Sequence, residues 1–218
     1  MQITALDTSR PVHIASGDVK MDAALVLPAG ATGIVIFAPG TRADSWQYVH
    51  VAGAVQAAGL GTLVFDALPS EQRTRLDRFD IPGLVEHLVH ATRWVCAEEA
   101  LRGLRVGYFA AGAASAAALA AAGGLGEKIA SVVTRGGRPD FASAHLERIT
   151  AATLFVVSGA DRAMLEVNER AYERLHCTKR LVVVPGALHG SKDSSAAGEV
   201  ASLATDWFCR HLEAAVRA

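Results

Sequence analysis

Two polar residues stand where long apolar runs stop. Asp161 follows LFVVSGA, and His189 follows LVVVPGAL. Continuous apolar runs of this length read as buried strands, so both residues fall just past a strand's carboxyl end. An aspartate held against a histidine fixes the imidazole tautomer and stabilises the ring once it takes a proton. Such a pair can serve general acid–base or nucleophilic catalysis. The plain alternative is that Asp161 caps a helix beginning near Met164 and His189 is an ordinary loop histidine.

A nucleophile for this pair belongs upstream, at a turn from a strand into a helix. Only residues 109–115, F-A-A-G-A-A-S, fit. The usual elbow reads G-x-S-x-G and carries its nucleophile on a strained turn. Here the five residues are Ala110, Ala111, Gly112, Ala113 and Ala114, with Gly112 at the apex. Glycine suits a strained turn because it has no Cβ. The turn can therefore persist without a reactive atom. Ser115 lies about 5 Å further along the helix axis and should face a packing surface. Cys96 falls within a helix and Cys177 just before the last strand, where free cysteines usually fill the core.

Three arginines could meet a substrate carboxylate. Arg135 and Arg138, in TRGGRPD, follow a central strand. Each could equally hold Asp140, Asp80 or a helix terminus in an ion pair. Arg42 lies in the loop after the first buried strand.

The elements that must position these residues alternate between strand and helix. Residues 20–27 alternate in polarity and predict an early antiparallel strand. Buried strands are expected over 33–38, 61–66, 104–109, 130–134, 153–158 and 180–184. Helices are expected over 46–58, 81–95, 113–122, 164–175 and 198–216, with a short one over 141–148. Residues 69–78 read as a loop. This order predicts a doubly wound, mostly parallel sheet of about eight strands with helices on both faces. Ligands then bind at the carboxyl ends of the strands.

The 218 residues read as a single domain over 1–218, and 51% are hydrophobic, enough for a sheet covered on both faces. The formal net charge is −1, with basic residues scattered, which speaks against nucleic acid or an acidic membrane surface as partner. Residues 106–125 carry no charge, yet they divide into strand, turn and alanine-rich helix rather than a membrane span. Three widely spaced cysteines without a CxxC suit a reducing compartment, not a disulfide framework or a zinc site. No secretory leader is apparent at the N-terminus, so a cytoplasmic location is expected.

The blocks VGYFAAGAASAAALAAA, VVTRGGRPD, TLFVVSGAD, KRLVVVPGALH and ATDWFCRHL occur in this order. So does RFDIPGLVEHL, which matches a helix opening of one small subgroup. From about Lys20 to Leu212 the chain resembles the dienelactone hydrolases, a family of the α/β-hydrolase fold. The resemblance implies a compact cytoplasmic hydrolase with a Ser or Cys, Asp and His triad, and neither metal nor cofactor. Asp161 matches the family acid and His189 the family histidine. The nucleophile position falls on Gly112, where this sequence departs.

It departs again in the first loop. The subgroup has a histidine–glycine pair and a small polar run; here the residues are Pro39, Gly40, Thr41 and Arg42. That loop normally supplies one oxyanion N–H. Thr41 would supply it here, with Ala113 as the second donor.

Three functions are then open. The first is non-covalent acid–base chemistry by His189 and Asp161 on a small organic substrate: direct water activation, isomerisation, elimination or cyclisation. The second is a catalytically dead relative that binds a small molecule or a protein. The third is ordinary ester or lactone hydrolysis through another nucleophile.

Overall fold

The computed structural model describes residues 9–16, 19–38, 45–65, 80–185 and 194–213. The strands are β1 (Arg10–Ser16), β2 (Val19–Val26), β3 (Gly33–Phe37), β4 (Gly61–Phe65), β5 (Arg105–Ala111), β6 (Ile129–Arg135), β7 (Ala152–Ser158) and β8 (Lys179–Val184). Among the described residues the α-helices are α1 (Ser45–Ala57), α2 (Ile81–Ala97), α3 (Ala114–Leu125), α4 (Arg162–Arg174) and α5 (Ser194–Leu212).

All eight strands form one sheet in the order β1-β2-β4-β3-β5-β6-β7-β8. β1 and β2 pair antiparallel, as do β2 and β4. Every later pairing, from β3–β4 to β7–β8, is parallel. This is the doubly wound, mostly parallel sheet that the alternation predicts. β1 lies beyond the expected elements. Among the residues of this edge strand whose burial is described, Val12 and Ile14 are buried, too short an apolar signal to stand out.

The 141–148 helix does not form. Two separate 3₁₀ turns, Pro139–Ala142 and Leu146–Arg148, take its place. Ala142 and Leu146 are buried, and the backbone between them packs on α3. A Cβ at Gly123 would lie 2.7 Å from the His145 carbonyl oxygen. Close packing against a neighbouring helix overrides local propensity here. The 69–78 loop lies outside the described residues, as do residues 214–216 of the closing helix.

The sheet separates two cores. β5 shows why: Val106, Tyr108 and Ala110 point to one face, while Phe109 and Ala111 point to the other. The first face is covered by α2, α3 and α4, and the second by α1 and α5. Helix α3 is buried from Ala114 to Ala122, which its alanines allow by letting the backbones approach. On the opposite face, Gly107 lets Phe208 of α5 come close: a Cβ there would meet its ring at 3.0 Å. Among the described residues, no helix is long and apolar enough to cross a membrane.

The winding places the site. From β3 the chain moves outward to β4, then returns to the other side of β3 to form β5. The crevice of such a sheet opens where that direction reverses, beyond the carboxyl ends of β3 and β5. The turn containing Gly112 follows β5 directly.

Candidate functional site

Gly112 occupies the turn between β5 and α3 with φ of 58°. That left-handed value favours glycine and strains other residues. Ala113 is the N-cap residue of α3, and its methyl side chain makes no cap hydrogen bond. A helix start without a cap from its own N-cap residue has backbone N–H groups to offer an anion.

Backbone and side chains hold this turn from three sides. The Gly112 N–H donates to the Arg135 carbonyl (3.3 Å), and the Ser115 N–H donates to the Gly112 carbonyl (3.2 Å). The Gly136–Gly137 pair, both at positive φ, lies directly on the turn. A Cβ on Gly137 would sit 2.2 Å from the Gly112 oxygen and 2.8 Å from Ser115 Oγ. Ser115 is buried, and its hydroxyl donates to the Gly136 carbonyl at 2.8 Å. This bond ties the start of α3 to the Gly136–Gly137 pair.

The third side comes from α1. The Ala111 N–H donates to the Tyr48 hydroxyl oxygen at 3.1 Å. The ladder between β3 and β5 runs to Phe37 opposite Phe109, followed by Ala38 N–H to the Phe109 carbonyl at 2.9 Å. Tyr48 takes the next donor. Its ring is 5.8 Å from Phe37 and 5.6 Å from Phe109, the latter edge-on. Such tilted aromatic pairs fix ring orientation as well as burying area.

Asp161 follows β7 and is the N-cap of α4. Its Oδ1 accepts from the Met164 N–H at 3.0 Å. The side chain is exposed at the start of the helix. One carboxylate oxygen thus satisfies a helix donor, and the carboxylate retains further acceptor sites. His189, Thr41 and Arg42 lie outside the described residues.

The two downstream arginines differ. Arg135 is buried at the end of β6, and its carbonyl receives the Gly112 N–H. Arg138 forms a bidentate pair with Asp140, with Nε–Oδ1 of 2.8 Å and Nη2–Oδ2 of 2.6 Å. Its guanidinium also lies 4.6 Å from the Phe141 ring centroid. The hydrogen bond from Arg138 holds the Asp140 carboxyl below its ordinary range. Arg138 therefore has the local ion pair that its spacing from Asp140 allows.

All three cysteines are free. Burial pushes the Cys177 and Cys209 thiols up, which disfavours the thiolate that a nucleophile needs. Among the described residues, no cluster of three His, Cys, Asp or Glu could hold a metal.

Tyr48, Gly137 and Asn168 are site residues that the sequence reading did not single out. Asn168, on α4, donates to the Gly137 carbonyl at 3.2 Å. A Gly-Gly pair directly after a strand was the available signal, since it marks close backbone approach.

No family model matches the chain. Two Mycobacterium tuberculosis proteins, named as candidate phosphoribosyl transferases, are 39% identical over 204 residues, or 92% of this chain. The chain spans about half the length of these relatives, 46%. A crystal structure of a dienelactone hydrolase from Anabaena variabilis superposes with a TM-score of 0.88 at 42% identity, over 94% of this chain and 99% of that one. The esterase domain of a Rhodothermus marinus protein, 16% identical, shares the fold with a TM-score of 0.73, over 94% of this chain and 99% of that one. With that identity over nearly the whole length of a dienelactone hydrolase, the chain belongs to the dienelactone hydrolase family of α/β-hydrolases.

Proposed function

We propose that this protein carries out non-covalent acid–base chemistry on a small organic substrate. His189 moves the proton and Asp161 orients it. Gly112 stands at the nucleophile position and leaves it without a reactive side chain. The observation that carries this reading is the turn itself: a glycine at φ of 58°, between β5 and a helix that starts on an alanine. A strand–helix turn at left-handed φ, on a residue with no hydroxyl or thiol, supports an elbow without its nucleophile.

A water or a substrate hydroxyl then takes the place of the covalent nucleophile. His189 activates water directly, or takes a substrate proton in an isomerisation, elimination or cyclisation. A positioned general base contributes about 10²–10⁴-fold, enough for an intrinsically easy reaction. The N–H groups of Thr41 and Ala113 meet the developing negative charge. Arg42 and Arg135 are the cations we assign to a substrate carboxylate. Arg138 contributes through its pair with Asp140. Three free cysteines suit the reducing cytoplasm, where we place the protein.

The test is a burst assay with p-nitrophenyl esters. Wild type should show neither burst nor acyl-enzyme, since both need an activated nucleophile. A stoichiometric burst would return the protein to ordinary ester hydrolysis.

One observation favours a second reading, a binding protein without catalysis. Asp161 has a structural task as the cap of α4, so its presence does not require a reaction. The phosphoribosyl transferase name of the longer relatives we assign to the half that this chain does not match, because the matched half folds as a hydrolase. Pyrophosphate release from phosphoribosyl pyrophosphate by this chain alone would contradict that assignment.

A further inference from the structure

Met164 and Asn168 lie on one side of α4, because a step of four residues returns to the same helix face, and Asp161 caps that helix through the Met164 N–H. Asn168 is fully buried, with 0% exposure. Its Nδ2 donates both hydrogens, to the Met164 carbonyl at 2.8 Å and to the Gly137 carbonyl at 3.2 Å. The chemistry fixes that orientation: turned over, the amide oxygen would face two carbonyls. Its Oδ1 is buried with no partner among the described residues. An orphaned buried acceptor is unfavourable, so an aliphatic side chain would suit a purely packing role better.

What the amide achieves is a connection. Asp161 Oδ1 accepts from Met164 N, and the Met164 carbonyl accepts from Asn168. Asn168 also holds the Gly137 carbonyl, and Gly137 rests on the Gly112 oxygen. Hydrogen bonds thus run from the acid to Gly137, whose backbone passes so close to the Gly112 oxygen that there is no room for a Cβ between them.

We propose that Asn168 is a positioning residue that sets the Gly112 turn against the helix bearing Asp161. This rests on the proposed function, in which these two elements must hold a fixed geometry around His189. Displacements of about 1 Å in such arrangements cost about 100-fold in rate.

Asn168→Ser isolates the bridge. A mid-helix serine donates to the carbonyl four residues back, so it keeps the bond to Met164 but cannot span to Gly137. Two readouts are needed. The first is amide hydrogen exchange at Gly112 and Ser115, which requires no chemistry. It should quicken about tenfold in Asn168→Ser, while amides of β3 and β4 stay unchanged. Unchanged exchange at Gly112 and Ser115, or a rise shared by the whole sheet, would overturn the proposal. The second is the rate of fluorophosphonate capture at position 112 in a Gly112→Ser protein. Adding Asn168→Ser should slow capture about tenfold without lowering the melting temperature in proportion. Equal capture rates would overturn the positioning role. A Gly112→Ser protein that fails to react with Asn168 intact would count against the functional reading, and the exchange result would still decide on Asn168.

Discussion

Two turns carry the sheet into helices at the same end, and they are built in opposite ways. After β5 the chain turns through a glycine at positive φ into α3, whose N-cap residue, Ala113, makes no side-chain cap bond. After β7 it turns through Gly159 and Ala160 to Asp161, which caps α4 with its own carboxylate. The first turn is half-buried, pressed by Gly137 and tied to Tyr48. The second is exposed, held to β8 by the Gly159 N–H on the Val184 carbonyl at 2.9 Å. A helix start closed by its own side chain is a matter of stability. A helix that starts on an alanine has no such cap of its own, and in the proposed function its N–H groups are the donors that meet a substrate's negative charge.

The comparison breaks most sharply at the glycines. Gly137→Ala would place a Cβ 2.2 Å from the Gly112 oxygen at a backbone φ of 103°. We expect a loss on the order of 3 kcal/mol or more in urea unfolding, combining strain and overlap. At the other turn, Gly159→Ala meets Val183 Cγ1 at 3.2 Å, which a small side-chain shift relieves. It should cost under about 1 kcal/mol. Equal costs would mean that the two turns are not differently constrained.

Tyr48→Phe comes next. It removes the acceptor for a buried N–H while keeping the ring between Phe37 and Phe109. The expected loss is about 1–3 kcal/mol in the same assay. No change would show that the hydroxyl is incidental to the turn.

Asp161 then separates cap from catalyst. Asp161→Ala should cost about 1 kcal/mol, and Asp161→Ser, which still caps, should recover most of it. Once a substrate is in hand, neither variant should turn it over normally, because serine cannot orient an imidazole as a carboxylate does. If serine restores activity along with stability, the acid is only a cap.

The smallest effect concerns pH. The Asp140 carboxyl is held below its ordinary value by its hydrogen bond from Arg138, so it favours folding at neutral pH. That contribution is present above the ordinary carboxylate pKa and fades as pH falls through the depressed one. Asp140→Asn should flatten stability only in the acid range, measured as melting temperature against pH.

Much of this was legible from the sequence, for physical reasons that also explain the misses. The central strands are continuous apolar runs because both faces are covered, and the reading located them within a few residues. β1 escaped because an edge strand with Pro11 and His13 buries little. Gly112 stood out because it interrupts alanines between a strand and a helix. Gly137 did not, because its role is a contact between chain segments far apart in sequence. Tyr48 and Asn168 read as ordinary helix residues, since only the folded chain brings them to the turn. For Asp161 the sequence offered both a cap and an acid, and the cap is what its hydrogen bond displays.

The central claim is that the elbow is intact but lacks a nucleophile. Its most direct test is intact mass after incubation with a fluorophosphonate, on wild type, Gly112→Ser, and Gly112→Ser with His189→Ala. The account predicts no adduct on wild type, one adduct at position 112 in the serine variant, and a much slower reaction once His189 is removed. The gain is limited by the strain of a serine at that φ, on the order of 1–3 kcal/mol. A stoichiometric adduct on the wild-type protein, at any residue, would contradict it.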